Sequence, residues 1–218
     1  MNSMYKNKFS SYLELMLLDP DISLEKTLIG CQAACQYQLK SVFVKPCFLH
    51  QAAEYLREKN IHLGTVIGFP HGSNTTHVKL YETKRALMEG AQILELVINT
   101  GDVKNHSFDK VKKEVQTIGG LTHMNYGEIR LVLETGLLML EQIVEIGDIA
   151  TDVKVNGLVT STGFVPQKDH YEIIKSLTGH VSEGILIKAM SKNENIEDIE
   201  PLINAGYNRI GIFDLEKI

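Results

Sequence analysis

Ionisable residues interrupt several otherwise apolar runs of this sequence, and their types suggest acid–base or amine chemistry. Lys45, Glu95 and Lys188 each stand among Val, Ile and Leu near the end of a run, and Arg130 and Glu134 stand in and just after a fourth. A carboxylate beside a lysine can move protons or support an amine nucleophile. Because an unpaired charge in apolar surroundings is costly, these groups should pair with one another. An ion cluster that only stabilises the protein is the alternative.

The apolar runs predict eight strands separated by seven helices. The runs are almost continuously apolar, as expected for a parallel sheet that is buried on both faces. The predicted strands cover residues 13–18, 41–45, 62–67, 93–98, 129–133, 155–160, 184–188 and 209–212. The predicted helices cover residues 24–37, 51–59, 75–89, 108–117, 140–149, 169–176 and 196–204.

Eight such repeats favour an α/β fold, a single (β/α)8 TIM barrel domain over residues 1–218. The last predicted strand is followed by few residues, so we expect the final helix to be short or missing. In this fold the active site lies at the C-terminal ends of the strands. Side chains alternate along a strand, so Phe43 and Lys45 share a face. We therefore expect Lys45, Glu95 and Lys188 to converge in one cavity at the C-terminal mouth.

Composition narrows the classes of partner. The chain has 218 residues, of which 44% are hydrophobic, and a formal net charge of -5. This acidic balance disfavours nucleic acid and anionic membranes as partners, and no apolar run approaches the roughly 18 residues that span a bilayer. The polar start lacks a signal-peptide core, which predicts a cytoplasmic protein. His71 and His77 have no third ligand at suitable spacing, so we expect no metal and no other cofactor.

A series of motifs runs in order through residues 13 to 212. It comprises TVIGFPHG at 65–72, NTT at 74–76, ETKRA at 82–86, LVIN at 96–99, LETG at 133–136, TSTGF at 160–164, IKA at 187–189 and RIG at 209–211. In sequence and spacing these motifs resemble the deoxyribose-phosphate aldolases. The resemblance implies a TIM barrel, an imine between a lysine and acetaldehyde, coupling of the enamine to an aldehyde phosphate, and a homodimer.

The resemblance also implies residue roles, and this chain departs from several of them. The imine lysine of the family falls at Val159, which cannot form an imine. A second family lysine matches Lys188, and the acid–base aspartate of the family matches Glu95. On the first strand, the family has Asp-His-Thr where this chain has Glu-Leu-Met at residues 14–16. The family also has a Lys before a Pro where this chain has Asp19.

The phosphate cradle of the family is altered as well. Its Gly-Gly turn is replaced within residues 191–194, Ser-Lys-Asn-Glu, and its Ser pair by Phe213 and Asp214. The carboxylates of Glu194 and Asp214 would repel a phosphate, so we expect an unphosphorylated substrate.

These observations lead to a candidate site and to three candidate functions. We expect Lys188, Glu95 and Lys45 to be catalytic, with an imine at Lys188, at Lys45 or at neither. The expected substrate-binding residues are Arg130, Glu134, Thr160, Thr162, Val159, Phe43 and Asp214. The first function is aldolase-like carbon–carbon bond or proton-transfer chemistry on a small carbonyl compound. The second is a noncatalytic relative that binds a small molecule or a partner protein, and the third is a deoxyribose-phosphate aldolase.

Overall fold

The strands form a closed parallel barrel in a computed structural model that describes residues 9–165, 170–191 and 196–215. Neighbouring strands pair in sequence order, and the last pairs with the first, which confirms the predicted (β/α)8 TIM barrel. The strands are β1 (Leu13–Leu17), β2 (Ser41–Val44), β3 (His62–Ile67), β4 (Ile93–Val97), β5 (Glu128–Val132), β6 (Gly157–Val159), β7 (Leu186–Met190) and β8 (Arg209–Ile212).

Helices alternate with the strands and cover the outside of the barrel. They are α1 (Leu24–Gln36), α2 (Leu49–Leu56), α3 (Thr76–Met88), α4 (Thr100–Lys104), α5 (Phe108–Met124), α6 (Leu140–Val153), α7 (His170–Thr178) and α8 (Ile196–Ala205). Within the described ranges, none of these helices is long and apolar enough to cross a membrane. The segment predicted to hold a short or missing final helix includes residues 216–218, which lie outside the described part of the chain.

Alternation along each strand divides the core into two parts. On β1, Leu13, Leu15 and Leu17 belong to the outer apolar layer that the strands share with the helices. Glu14 and Met16 face the barrel interior, where Met16 joins a separate inner cluster. On every strand, therefore, only every second side chain points into the barrel and can reach its centre.

The register of the strands stacks the interior side chains in levels, and alternate strands contribute to each level. From the N-terminal side upward, successive levels hold Glu14, Gly64, Arg130 and Lys188, then Phe43, Glu95, Val159 and Gly211, then Met16, Val66, Val132 and Met190. Charged side chains therefore occupy the middle of the barrel, beneath an apolar level.

Glycine on β8 makes room for one of these charges. A Cβ on Gly211 would lie 2.8 Å from Cε of Lys188 and would also clash with Sδ of Met190. The long side chain of Lys188 can therefore cross the interior only because β8 has no side chain at this position.

Candidate active site

Lys188 lies in the middle of β7 and is completely buried. Its Nζ lies 2.7 Å from Oε1 of Glu95, 2.8 Å from Oε2 of Glu14 and 3.2 Å from Sδ of Met16. The ammonium is also 4.1 Å from the ring centroid of Phe43, which adds a cation–π contact. An ammonium has three N–H donors. Two carboxylates and one thioether therefore supply an acceptor for each of them.

Arg130 completes the cluster from β5. Its Nη1 lies 2.9 and 2.8 Å from the two carboxylate oxygens of Glu14, and 3.8 Å from Oε1 of Glu95. Arg209 contributes a longer contact, 3.7 Å from its Nε to Oε1 of Glu14. We call Glu14, Glu95, Arg130 and Lys188 the central ion cluster. Two carboxylates face two cations in it, so its formal charge is balanced and burial is tolerated.

The two carboxyl groups differ in their proton affinity. Burial by itself raises the pKa of Glu14, but the charges of Lys188 and Arg130 outweigh burial and lower that pKa to about 2. For Glu95 burial prevails over the attraction of Lys188, and the nearby Glu14 charge adds to it, so the pKa of Glu95 is raised. Environments that separate the proton affinities of paired carboxyls are typical of acid–base sites. Within the cluster, Glu95 therefore holds a proton more readily than Glu14 does.

The structure brings two of the three expected catalytic residues together. Glu95 and Lys188 form the 2.7 Å contact, although in the barrel interior rather than at the open mouth. Lys45 is not in this contact: its Nζ donates to the backbone carbonyls of Asp19 and Pro20, at 3.2 and 2.8 Å, and its catalytic role stays a prediction. β2 ends at Val44, so Lys45 has left the strand and its side chain turns along the rim.

Sequence reasoning missed two residues of the site, Glu14 and Met16. In the sequence, Glu14 stands out only as a departure from the family and is not among the expected site residues. The signal was available, because Glu14 is the one charge within the apolar run 13–18. It also shares a strand face with Met16.

The remaining expected residues lie near the cluster or on the loops above it. The ring of Phe43 packs against the Lys188 ammonium, and Val159 belongs to the inner apolar cluster. The hydroxyl of Thr160 accepts a hydrogen bond from the Met190 amide at 3.4 Å. The hydroxyl of Thr162 accepts a hydrogen bond from the Phe164 amide. Asp214 follows β8 and is partly exposed.

Glu134 has a positioning role that the sequence did not reveal. It follows β5 in the left-handed region, at φ 56° and ψ 56°, which is unfavourable for a residue with a Cβ. One carboxylate oxygen accepts a hydrogen bond from the Thr162 amide. Ser161 accepts from the Gly163 amide in the same loop, at 2.8 Å. Glu134 therefore fixes the loop that follows β6.

We expect Glu134→Ala to speed hydrogen exchange of the Thr162 amide by about tenfold or more, because that amide loses a charged acceptor. Glu134→Gln is the matched control, since it retains an oxygen acceptor of the same reach and should change the rate much less. The measurement is amide exchange followed by NMR. Equal rates in the unmodified protein and both variants would show that Glu134 does not hold this loop.

Comparison of the sequence with known proteins identifies its relatives. A comparison with protein-family models gives no match. The chain is 32% identical over 208 residues to the deoxyribose-phosphate aldolase of Mannheimia succiniciproducens, which covers 95% of this chain and 92% of that protein. It is 33% identical over 215 residues to the deoxyribose-phosphate aldolase of Ureaplasma urealyticum serovar 10, covering 97% of this chain and 98% of the relative.

A solved structure agrees with these relatives. The aldolase QR15 superimposes with a TM-score of 0.86 at 28% identity, over 93% of this chain and 90% of that one. Identity above 30% across nearly the full length of both sequences, on the same barrel, means that this chain belongs to the deoxyribose-phosphate aldolase family.

Proposed function

We propose that this protein is an aldolase-like lyase that acts on a small, unphosphorylated carbonyl compound without an imine at the usual position. The observation that carries the proposal is the contact of 2.7 Å between Glu95 and Lys188 inside the barrel. Val159, at the level of Glu95, offers no nucleophile. What the interior provides is a carboxyl group with a raised pKa beside an ammonium.

In the proposed reaction, the Lys188 ammonium donates a hydrogen bond to the substrate carbonyl oxygen. The Glu95 carboxylate removes a proton from the carbon next to the carbonyl, and the ammonium stabilises the enolate oxygen. The enolate carbon then forms a bond to the carbonyl carbon of a second aldehyde. The new alkoxide takes the proton back from the Glu95 carboxyl, so protons and charges balance. Cleavage is the reverse sequence.

Glu14 and Arg130 support this chemistry without touching the reacting atoms. Glu14 keeps its charge because its pKa is about 2, and it binds both cations of the cluster. Two carboxylates thus contact Lys188, so its Nζ is engaged with them rather than free to attack a carbonyl carbon. This arrangement supports enolate stabilisation rather than imine formation at Lys188.

We expect the protein to exchange the α-protons of small aldehydes and ketones with solvent deuterium, and Glu95→Gln to reduce the exchange rate by about 10²-fold or more. Loss of the carboxylate removes the base, while the amide keeps the shape of the side chain. Proton NMR in D₂O, with acetaldehyde, acetone and dihydroxyacetone as separate probes, measures the rate. Melting temperatures must show that the variant is folded.

Two further measurements complete this test. Borohydride reduction in the presence of the same carbonyl compounds, followed by peptide mapping, shows whether an imine forms at Lys188 or at Lys45; we expect no adduct at either. We also expect negligible cleavage of 2-deoxyribose 5-phosphate. Exchange that persists unchanged in folded Glu95→Gln would refute the proposed role of Glu95.

A noncatalytic binding function is the second candidate. The apolar level formed by Met16, Val66, Val132 and Met190 lies over the cluster, and Glu95 is only 2% exposed. An interior that is shielded from solvent in this way favours holding a ligand over repeated exchange of substrate and product. Saturable binding of a carbonyl compound without α-proton exchange would select this function over the first.

A further inference from the structure

We infer that the position now held by Sδ of Met16 is the binding position of a substrate carbonyl oxygen, and that the site takes an uncharged aldehyde or ketone with an apolar substituent. This inference rests on the proposed function and adds the place and the chemical class of the substrate. The Lys188 ammonium uses two donors on Glu95 and Glu14, and its third contact is the Met16 sulfur at 3.2 Å.

The thioether is the exchangeable partner of the three. A thioether sulfur is a weak hydrogen-bond acceptor, whereas a carbonyl oxygen is a strong one. Removing either carboxylate from a buried ammonium is far more costly than removing a neutral contact. A methionine side chain is also unbranched and rotates easily among conformations. A carbonyl ligand would therefore replace Met16 at the ammonium and leave the ion pairs of Lys188 intact.

The surroundings of this position define the chemical class of the ligand. The adjacent level and the inner cluster contribute Val66, Val132, Val159 and Met190, all apolar and buried. The central ion cluster beneath them is already balanced in formal charge. A carboxylate or phosphate on the ligand would enter this apolar space without a counter-ion, at a large desolvation cost. An uncharged carbonyl compound would accept a hydrogen bond from the Lys188 ammonium and place its apolar substituent against these apolar side chains.

Two alanine variants distinguish the effect of losing the thioether contact to Lys188 from the effect of creating a cavity. Met16 and Met190 are both 1% exposed and contribute to the same level, but the contact of 3.2 Å to Lys188 belongs to Met16. Met16→Ala leaves an ammonium donor facing a hole. Met190→Ala leaves a hole of similar size while the donor keeps its thioether. Met16→Leu, which removes the sulfur and keeps the volume, serves if Met16→Ala does not fold.

The probes are cyclopentanone and methylenecyclopentane, which share a shape but differ in the carbonyl oxygen. Their affinities are measured by NMR of methionine methyl groups labelled with ¹³C. We expect Met16→Ala to bind the ketone about tenfold more tightly than the hydrocarbon, because a buried charged donor strongly prefers an acceptor. We expect Met190→Ala to show no such preference. In the unmodified protein, the ketone should shift the Met16 methyl signal saturably.

The outcomes distinguish this inference from the proposed function. No ketone preference in Met16→Ala or Met16→Leu, or an equal preference in Met190→Ala, would overturn the inference. Ketone preference without any α-proton exchange would support the binding position and refute the catalytic proposal. Exchange that depends on Glu95 without ketone preference would support the catalytic proposal and place the carbonyl elsewhere.

Discussion

Lys188→Met should lower the free energy of unfolding by about 3–5 kcal/mol at neutral pH, the usual cost of breaking a buried ion pair from one side. Methionine has a similar length, so the loss is one of charge rather than of volume. Glu14 retains Arg130 at 2.8 Å, but Glu95 retains only the longer contact of 3.8 Å to that guanidinium. Urea denaturation followed by circular dichroism measures the change.

The double variant Lys188→Met/Glu95→Gln should recover part of this loss, because the pair of Glu14 and Arg130, in which Nη1 donates to both carboxylate oxygens, remains balanced. The two substitutions are then coupled and their effects do not add. Lys112→Met is the matched control: its pair with Asp152 lies on the surface, and the change should stay within about 0.5 kcal/mol. Additive losses in the double variant would contradict the pairing seen here.

Glu14→Gln should cost about 3–5 kcal/mol at neutral pH and should also change how stability depends on acid. The pKa of Glu14 is lowered from 4.5 to about 2, so its charge stabilises the folded state fully above about pH 4.5. This contribution is lost as the pH falls from 4.5 towards 2. At about 1.4 kcal/mol per unit of pKa, the contribution is on the order of 3 kcal/mol.

The contribution of Glu95 to stability depends on pH in the opposite direction. Its pKa is raised, so its stabilising contribution is present below the unfolded pKa and is lost as the pH rises through the folded pKa. Glu95→Gln should therefore cost less than Glu14→Gln at neutral pH and should keep the acid-dependent loss. Urea midpoints across this pH range measure both variants. If the two substitutions flatten the acid limb equally, the assignment of the low pKa to Glu14 is wrong.

The fold was predictable because the apolar runs are clear, and misplaced ends account for most differences. Two strands, β3 (His62–Ile67) and β8 (Arg209–Ile212), have the predicted bounds. The apolar pattern predicts the seventh strand at 184–188, but Gly184 has a φ of 98°, outside the regular strand region, and pairing continues to Met190 opposite Gly211. Lys188 is consequently in the middle of its strand, so the site lies deeper than the expected mouth.

Helix ends show where local signals fail. The predicted helix ended at Thr117, before two glycines, yet α5 continues to Met124. Buried Ile118 and Thr122 lie on either side of the glycines, and packing of this face outweighs their low helix propensity. The short helix α4 was missed, although Asn99 caps it by accepting from the Gly101 amide at 3.0 Å.

The candidate site was predictable in part, because parity and resemblance both selected Glu95 and Lys188. Lys45 shared their features in the sequence, but its direction depends on where β2 ends and on the carbonyls of a neighbouring loop. A local pattern carries no information about either. The contact of Glu14 with Arg130 joins residues 116 positions apart, and only the closure of the barrel brings them together.

The central ion cluster divides its charges between the two halves of the chain. Strands β1 to β4 supply both carboxylates of the cluster, Glu14 and Glu95, while β5 to β8 supply both of its cations, Arg130 and Lys188. If the chain were cut at the exposed turn around Tyr126, each fragment would carry like charges in the surface that it must bury. A homodimer of either fragment would bring like charges together, whereas the mixed pair neutralises them. The interior of this barrel therefore favours assembly of unlike halves over like ones.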